Sequence, residues 1–308
     1  MTDQKREPDH HGVESNSTGD YPNETIRLLH ERSSCRSFYN KPIPEDIMTA
    51  VLQAGTHAPT GGNLQPYSII RIEDQSTKDE LCRLCENQTF IATAPTNLLF
   101  CIDWHRLERW AALELVPFAA TSSFRHFWIS IQDTIIAAQN ICTAADALGL
   151  GSVYVGTVLE CFRDLRRMFE LPDGVFPVVL LSLGYPKERP RPKRKHDISV
   201  ITHREKYRRL TDEEIVAAYD EKYPYEGVDA TEERLAELER VSRLIHGEEF
   251  ARRAVDTARA HGKVRVAQRY FGLHYVADTM AADNAEFLRI MEEYGLHWFR
   301  EFIPSGNR

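Results

Sequence analysis

Apolar positions along the chain predict alternating helices and buried strands as far as residue 207. Asn23, a capping residue type, precedes Ile26, Leu28 and Leu29, which predicts a helix over 23–32. The run Pro42-Ile43-Pro44-Glu45 stops the chain and restarts it. Proline in a first helical turn costs no hydrogen bond, and Ile47, Met48, Val51, Leu52 and Ala54 recur at helical spacing, so 45–57 reads as the next helix. Residues 58–66 are rich in proline and glycine and read as a loop. The β-branched run over 67–72 and the mostly apolar 96–102 read as strands, with a helix over 78–86 between them. Residues 127–148 form a long helix that is apolar on several sides, as expected in a core or at a subunit interface. Gly149 and Gly151 end it. A short strand over 153–155, a helix over 159–169 and a buried strand over 176–183 follow.

From about residue 211 charged residues dominate and strand signals vanish. Helices are predicted over 211–219, 231–245, 248–270 and 284–294. This divides the chain into a polar tail over 1–21 expected to be disordered, a core over 22–210, and a helical extension over 211–308. Helices alternating with apolar strands imply an α/β or α+β core with a covered sheet.

Composition narrows the function classes. The 308 residues are 42% hydrophobic and 27% charged, too apolar for disorder over most of the length. No apolar run approaches the roughly 20 residues of a membrane span, so no membrane partner is expected. The net charge of −8 argues against a nucleic-acid partner. The N-terminus lacks the apolar stretch of a secretory signal, which points to a cytoplasmic protein. Six cysteines are scattered through the chain. Cys82 and Cys85 are spaced to share a helix face, but no second pair completes a zinc site, so no metal is expected and buried thiols are the plainer reading.

Three clusters carry candidate chemistry. Arg32-Ser33-Ser34-Cys35-Arg36-Ser37-Phe38 sets two guanidiniums four apart around hydroxyls; their planar donor forks suit phosphate and carbonyl-rich rings. Alone, this is equally a solvated helix end. Ala58-Pro59-Thr60-Gly61-Gly62-Asn63-Leu64-Gln65-Pro66 combines glycines that let backbone approach a ligand with amide donors and acceptors; alone, it is an ordinary loop. The basic run over 189–195 can clamp a phosphate, and alone reads as a solvated loop.

In this order the clusters resemble the FMN-dependent nitroreductase family. Arg-Ser-Ser-Cys-Arg-Ser-Phe is similar to its opening signature, and 58–66 to its second loop. Gly149-Leu-Gly-Ser-Val-Tyr-Val-Gly156 is similar to the strand beneath its flavin ring, and Gly184-Tyr185-Pro186 followed by Lys193-x-Lys195 to its phosphate clamp. Within the family, 68–72, 153–156 and 171–177 look most like the oxygen-insensitive, NADPH-preferring nitroreductases and flavin reductases. The likeness covers about 24–208 and returns near 218–221 and 287–298. Departures are Gly-Gly-Asn and Pro66 in the second loop, lysine at the second clamp position, where the bidentate fork of arginine is lost, and a long C-terminal segment.

The resemblance implies an α+β fold with a central, mostly antiparallel sheet covered by helices, in an intertwined homodimer. Arg32, Ser33, Ser34 and Arg36 would face the flavin's phosphate, ribityl and pyrimidine side. Thr60, Asn63 and Gln65 would border the ring, with one or more of them reaching a flavin across the dimer interface. Gln88 sits at a flavin-contacting glutamine position. Tyr154, Val155 and Gly156 would present backbone near the reactive edge, and Lys193 and Lys195 would hold the phosphate. FMN would carry the chemistry, with no catalytic side chain, in a ping-pong cycle from NADPH or NADH to a nitroaromatic, quinone or free flavin. Arg252, Arg253, Lys263, Arg265 and Arg269 are candidates for the 2′-phosphate of NADPH. The alternatives are a specialised flavin enzyme, for reductive dehalogenation or a biosynthetic oxidation, and a non-catalytic flavin-binding sensor module.

Overall fold

The computed structural model describes residues 21–304 except 226 and 281. The tail expected over 1–21 therefore lies, but for Tyr21, outside the described residues, as do 305–308 at the end of the extension. The chain forms two compact units, one comprising residues up to Pro192 together with those from Tyr294 onward, the other Lys193–Glu293.

In the first unit, Asn23 Oδ1 accepts a hydrogen bond from Ile26 N and starts α1 (Glu24–Glu31). Helix α2 (Glu45–Thr56) follows Pro44. Strand β1 (Tyr67–Ile72) leads to α3 (Gln75–Leu84), capped by Asp74 three residues earlier than the apolar pattern suggests. The short α4 (Thr89–Thr93) precedes β2 (Thr96–Asp103). The sequence reading missed α5 (Trp104–Leu113), whose cap is Asp103, the last residue of β2. Next come α6 (Phe124–Ala147), β3 (Gly151–Val155), α7 (Phe162–Met168) and β4 (Val175–Gly184).

The four strands form one sheet in the order β1-β2-β4-β3, with every neighbouring pair antiparallel. The structure thus has the expected α+β character with an antiparallel sheet. All of β2 and nearly all of β4 are buried, without the in–out alternation of a half-exposed sheet, because both faces are covered. On one face Leu98, Phe100, Leu181 and Leu183 pack with Met48 and Val51 of α2 and with Ala138, Ile141, Cys142 and Ala145 of α6. Elsewhere in the unit an aromatic cluster gathers Phe127, Phe162, Phe176, Tyr294 and Trp298. Here the C-terminal segment is tied in: Tyr294 donates its hydroxyl to Phe162 O at 2.5 Å, and Gly174 N donates to Tyr294 O.

The second unit contains α8 (Ile198–Ile201), α9 (Asp212–Lys222), β5 (Val228–Asp229), α10 (Glu232–His246), α11 (Glu248–His261), β6 (Lys263–Val264), α12 (Val266–Arg269) and α13 (Asn284–Glu293). Two sequence readings need correction. The helix predicted over 248–270 breaks at Gly262, which caps α11 in the left-handed region at φ 64°. The released chain then pairs as β6 with β5, so strand structure does not vanish after residue 211. Leu235, Leu238, Val255, Ala258 and Val264 form the unit's own small core. Among the described residues no helix is long and apolar enough to cross a membrane.

Candidate functional site

The segment after α1 runs beside β3, the edge strand of the sheet. Cys35 N donates to Ser152 O at 2.9 Å, Ser34 bridges Ser152, and Phe38 bridges Pro186 in the loop after β4. Gly151 permits this approach: a Cβ there would sit 2.8 Å from Cys35 Cβ. Ser33 and Ser34 are half-buried and Arg36 is exposed. On this edge Ser34–Ser152 is the one bridge to β3 among the described residues, so the stretch from Tyr154 to Gly156 keeps its outer edge without a strand partner. A Cβ built at Gly156 would meet nothing within 4 Å. The end of β3 therefore carries no strand on this edge, with Val155 buried and Gly156 exposed, and its backbone groups there can hydrogen-bond a flat ring.

Arg32 reaches α6. Its Nε donates to Cys142 Sγ at 3.0 Å and lies 3.6 Å from Asp146 Oδ2. The Cys142 Sγ is in turn 3.0 Å from Ser152 Oγ on β3. Among the described residues no hydrogen bond or ion pair engages the terminal nitrogens of Arg32, whose side chain keeps 20% of its exposure. Burial works against the guanidinium's charge, but Cys142, Asp146 and Tyr154 outweigh it, and its pKa rises. Burial also pushes the Tyr154 phenol upward, so it stays neutral; its hydroxyl faces Gln139 Oε1 of α6 at 3.4 Å.

Arg36 extends over the Phe90 ring of α4, 5.8 Å from its centroid. Two residues earlier, at the cap of α4, Gln88 Nε2 donates to Thr157 Oγ1 at 2.7 Å, next to Gly156. Arg32, Ser34, Arg36, Gln88, Tyr154, Val155 and Gly156 thus belong to one neighbourhood around the end of β3. Nearby, Cys85 closes α3 and is buried, with the Cys161 thiol as a hydrogen-bonding neighbour; Cys82 is only half-buried.

The second loop is anchored elsewhere. Gly61 N donates to both carboxylate oxygens of Asp133 on α6 at 3.1 Å, and Gln65 N donates to Thr60 Oγ1. Asn63 and Gln65 take positive φ of 56° and 48°, costly for side-chain-bearing residues and typical of loops shaped for function. Gln65 is held by its Nε2 on Thr56 O, and by Arg106 on its carbonyl, whereas Asn63 is exposed. Asp133 and Asp146 are thirteen positions apart on α6, about 20 Å at the ~1.5 Å rise of a helix. Within one chain the loop holding Thr60, Asn63 and Gln65 therefore does not join Arg32. Lys193 and Lys195 are exposed and open the second unit. Of the 2′-phosphate candidates, Lys263 pairs with Asp229, Arg265 pairs with Asp220, and Arg269 covers the Tyr270 ring.

Sequence reasoning missed Asp146, and placed Arg189 only as the first residue of the basic run over 189–195. Asp146 is 3% exposed, and Arg189 Nη1 donates to its Oδ1 at 2.8 Å while Arg189 Nη2 donates to Leu150 O. The available signal was a carboxylate among the apolar positions of the long helix.

Residues 29–185 match the nitroreductase family. The chain belongs to that family. An oxygen-insensitive NADPH nitroreductase of Salmonella typhimurium is 32% identical over 198 residues, which is 64% of this chain and 80% of the relative. An FMN reductase (NAD(P)H) of Bacillus subtilis is 31% identical over 206 residues, 65% of this chain and 81% of the relative. The solved NADPH:FMN oxidoreductase of Vibrio harveyi, complexed with NAD+, matches with a TM-score of 0.60 at 28% identity, covering 66% of this nitroreductase-family chain and 87% of that structure.

Proposed function

We propose that this chain is an FMN-dependent NAD(P)H oxidoreductase of the cytoplasm that works as a homodimer and passes reducing equivalents to an electron-poor small molecule, a nitroaromatic, quinone or free flavin. The observation that carries the reading is Arg32: its Nε edge is anchored to α6, while its terminal nitrogens have no partner among the described residues. That is a cation prepared for an anionic or carbonyl-bearing ligand, in a family whose relatives carry FMN and NADPH in their names.

The residues present suit the cofactor. Tyr154, Val155 and Gly156 offer backbone to the ring at an open strand edge. Arg32, Ser33, Ser34 and Arg36 face its polar side, with Gln88 at the near margin. Lys193 and Lys195 take the phosphate on the strength of the family resemblance. Bound FMN supplies the hydride acceptor and donor, so no protein nucleophile is needed. Positive charge from Arg32 and Arg36 favours the electron-rich reduced ring, through donors already in place before electrons arrive. Thr60, Asn63 and Gln65 serve the site of the opposite copy in the dimer.

The face of α6 that carries Trp128, Ile135 and Ile136 supports the dimer: these side chains are 55%, 37% and 39% exposed at helical spacing.

The test is spectroscopic. The purified protein is expected to take up FMN, to be bleached by NADPH or NADH without oxygen, and to recover its colour with a nitroaromatic or quinone. Protein that binds no FMN refutes the reading. Protein that binds FMN yet is not bleached by either nicotinamide replaces it with a non-catalytic flavin-binding module.

A further inference from the structure

Asp146 lies in the mostly apolar last turns of α6, and its side chain is buried between Arg32 and Arg189. A buried carboxylate is costly unless paired and hydrogen-bonded. Here the pairing is lopsided. Oδ1 accepts a hydrogen bond from Arg189, whereas Oδ2 has no hydrogen-bond partner among the described residues. Arg32 Nε stands 3.6 Å from Oδ2, within strong Coulomb attraction but beyond a hydrogen bond. We propose that Asp146 is a positioning residue for FMN: it holds the Arg32 guanidinium by its Nε edge so that the terminal nitrogens face the nucleotide. The inference rests on the reading of Arg32 as an FMN-binding residue.

Charge and geometry support it. Asp146 offsets the repulsion between Arg32 and Arg189 and still leaves the trio with one net positive charge for an anionic ligand. Because attraction acts at 3.6 Å on Nε, it consumes neither terminal nitrogen. Cys142 accepts the Nε hydrogen, and its sulfur sits against Ser152 of β3, so the arginine is fixed relative to the strand expected beneath the ring. Burial raises the Asp146 pKa above its ordinary value, and Arg189 and then Arg32 counter this in part, so the two cations are what favour the ionised form.

A double-mutant cycle tests the coupling. The dissociation constant of FMN is measured by flavin fluorescence quenching for wild type, Arg32→Ala, Asp146→Asn and the double variant, with apoprotein melting as a check on folding. Arg32→Ala is expected to weaken FMN by about tenfold or more, as for loss of charged hydrogen bonds. Asp146→Asn is expected to weaken it by about fivefold, and the double variant to match Arg32→Ala within about twofold. If Arg32→Ala leaves FMN affinity unchanged, the reading of Arg32 falls, and this inference with it. If Arg32→Ala weakens binding but Asp146→Asn does not, or if the two losses multiply, the positioning role alone is overturned. Should Asp146→Asn not fold, Asp146→Glu decides through the same cycle. Its loss is expected to be present with Arg32 and absent in the Arg32→Ala background; an equal loss in both backgrounds overturns the inference.

Discussion

Replacing Ile136 with lysine should split the protein into monomers and strip it of FMN. Ile136 sits with Trp128 and Ile135 on the exposed face of α6, each between a third and somewhat over half exposed. Full burial of such side chains is worth about 1.5–3 kcal/mol, so the exposed remainder is worth ~1 kcal/mol each. A two-fold interface counts every side chain twice, which gives the trio about 6 kcal/mol. Ile136→Lys removes ~2 kcal/mol of this and sets two ammonium groups against each other near the axis, adding at least as much again. The dimer constant should therefore weaken by roughly a thousandfold, since ~1.4 kcal/mol is tenfold. Light scattering on a sizing column reads this directly. Wild type should run at twice the 35.4 kDa of one chain, and the variant at 35.4 kDa with its helix content intact. The FMN retained per chain should fall together with the mass. Wild-type protein that is monomeric at all concentrations yet holds one FMN per chain would refute both the interface and the sharing of the site.

Gly151→Ala should lower the melting temperature and weaken FMN together, because its Cβ would sit 2.8 Å from Cys35 Cβ and push the segment bearing Arg32 and Arg36 off β3. Overpacking of this kind costs ~1–3 kcal/mol, and an unchanged melting curve would show that the approach is loose. Burial raises the Asp133 pKa above its ordinary value of 3.8 despite the hydrogen bonds from Gly61 N. A raised carboxylate binds its proton more tightly when folded, so its contribution is complete below the ordinary value and is lost as pH climbs through the raised one. The melting temperature of Asp133→Asn relative to wild type should therefore rise as pH climbs above the ordinary value of 3.8, and a flat or falling difference contradicts the assignment. Replacing Lys193 and Lys195 together with glutamine should weaken FMN by about tenfold while leaving riboflavin, which lacks the phosphate, unaffected. Equal losses for the two ligands would remove the lysines from the phosphate site.

Much of the first unit was legible in the sequence because its signals are local. Asn23 caps its own helix three residues on, and the apolar run of β4 marks a buried strand wherever it occurs. Helix α5 was not legible because its cap, Asp103, is also the end of β2, and an apolar strand pattern runs straight into it. The break at Gly262 was missed because one glycine in a charged, periodic stretch is compatible with a continuous helix until a strand partner is known. The site divides the same way. Arg32 and the loop over 58–66 could be found by residue type and order. The pairing of Asp146 with Arg189 could not, since it spans 43 positions and Asp146 belongs to no motif.

The spacing of anchors along α6 argues for the proposed homodimer. Asp133 holds the second loop, Gln139 meets Tyr154, and Cys142 and Asp146 hold Arg32, in that order along a single rigid helix. A helix cannot bring positions 133 and 146 together, so a flavin resting on Tyr154 and Arg32 lies away from its own chain's Asn63. An isologous interface removes the conflict. With antiparallel copies of α6 related by a two-fold near Ile136, position 133 of one faces position 139 of the other. The loop of each copy would then be carried to the Tyr154 side of its partner, and the apolar side chains nearest the axis would be those the single chain leaves exposed. In that arrangement the exposed Asn63, with its left-handed φ of 56°, would be the loop residue presented to the partner, while Gln65 stays tied to its own chain through Thr56 and Arg106.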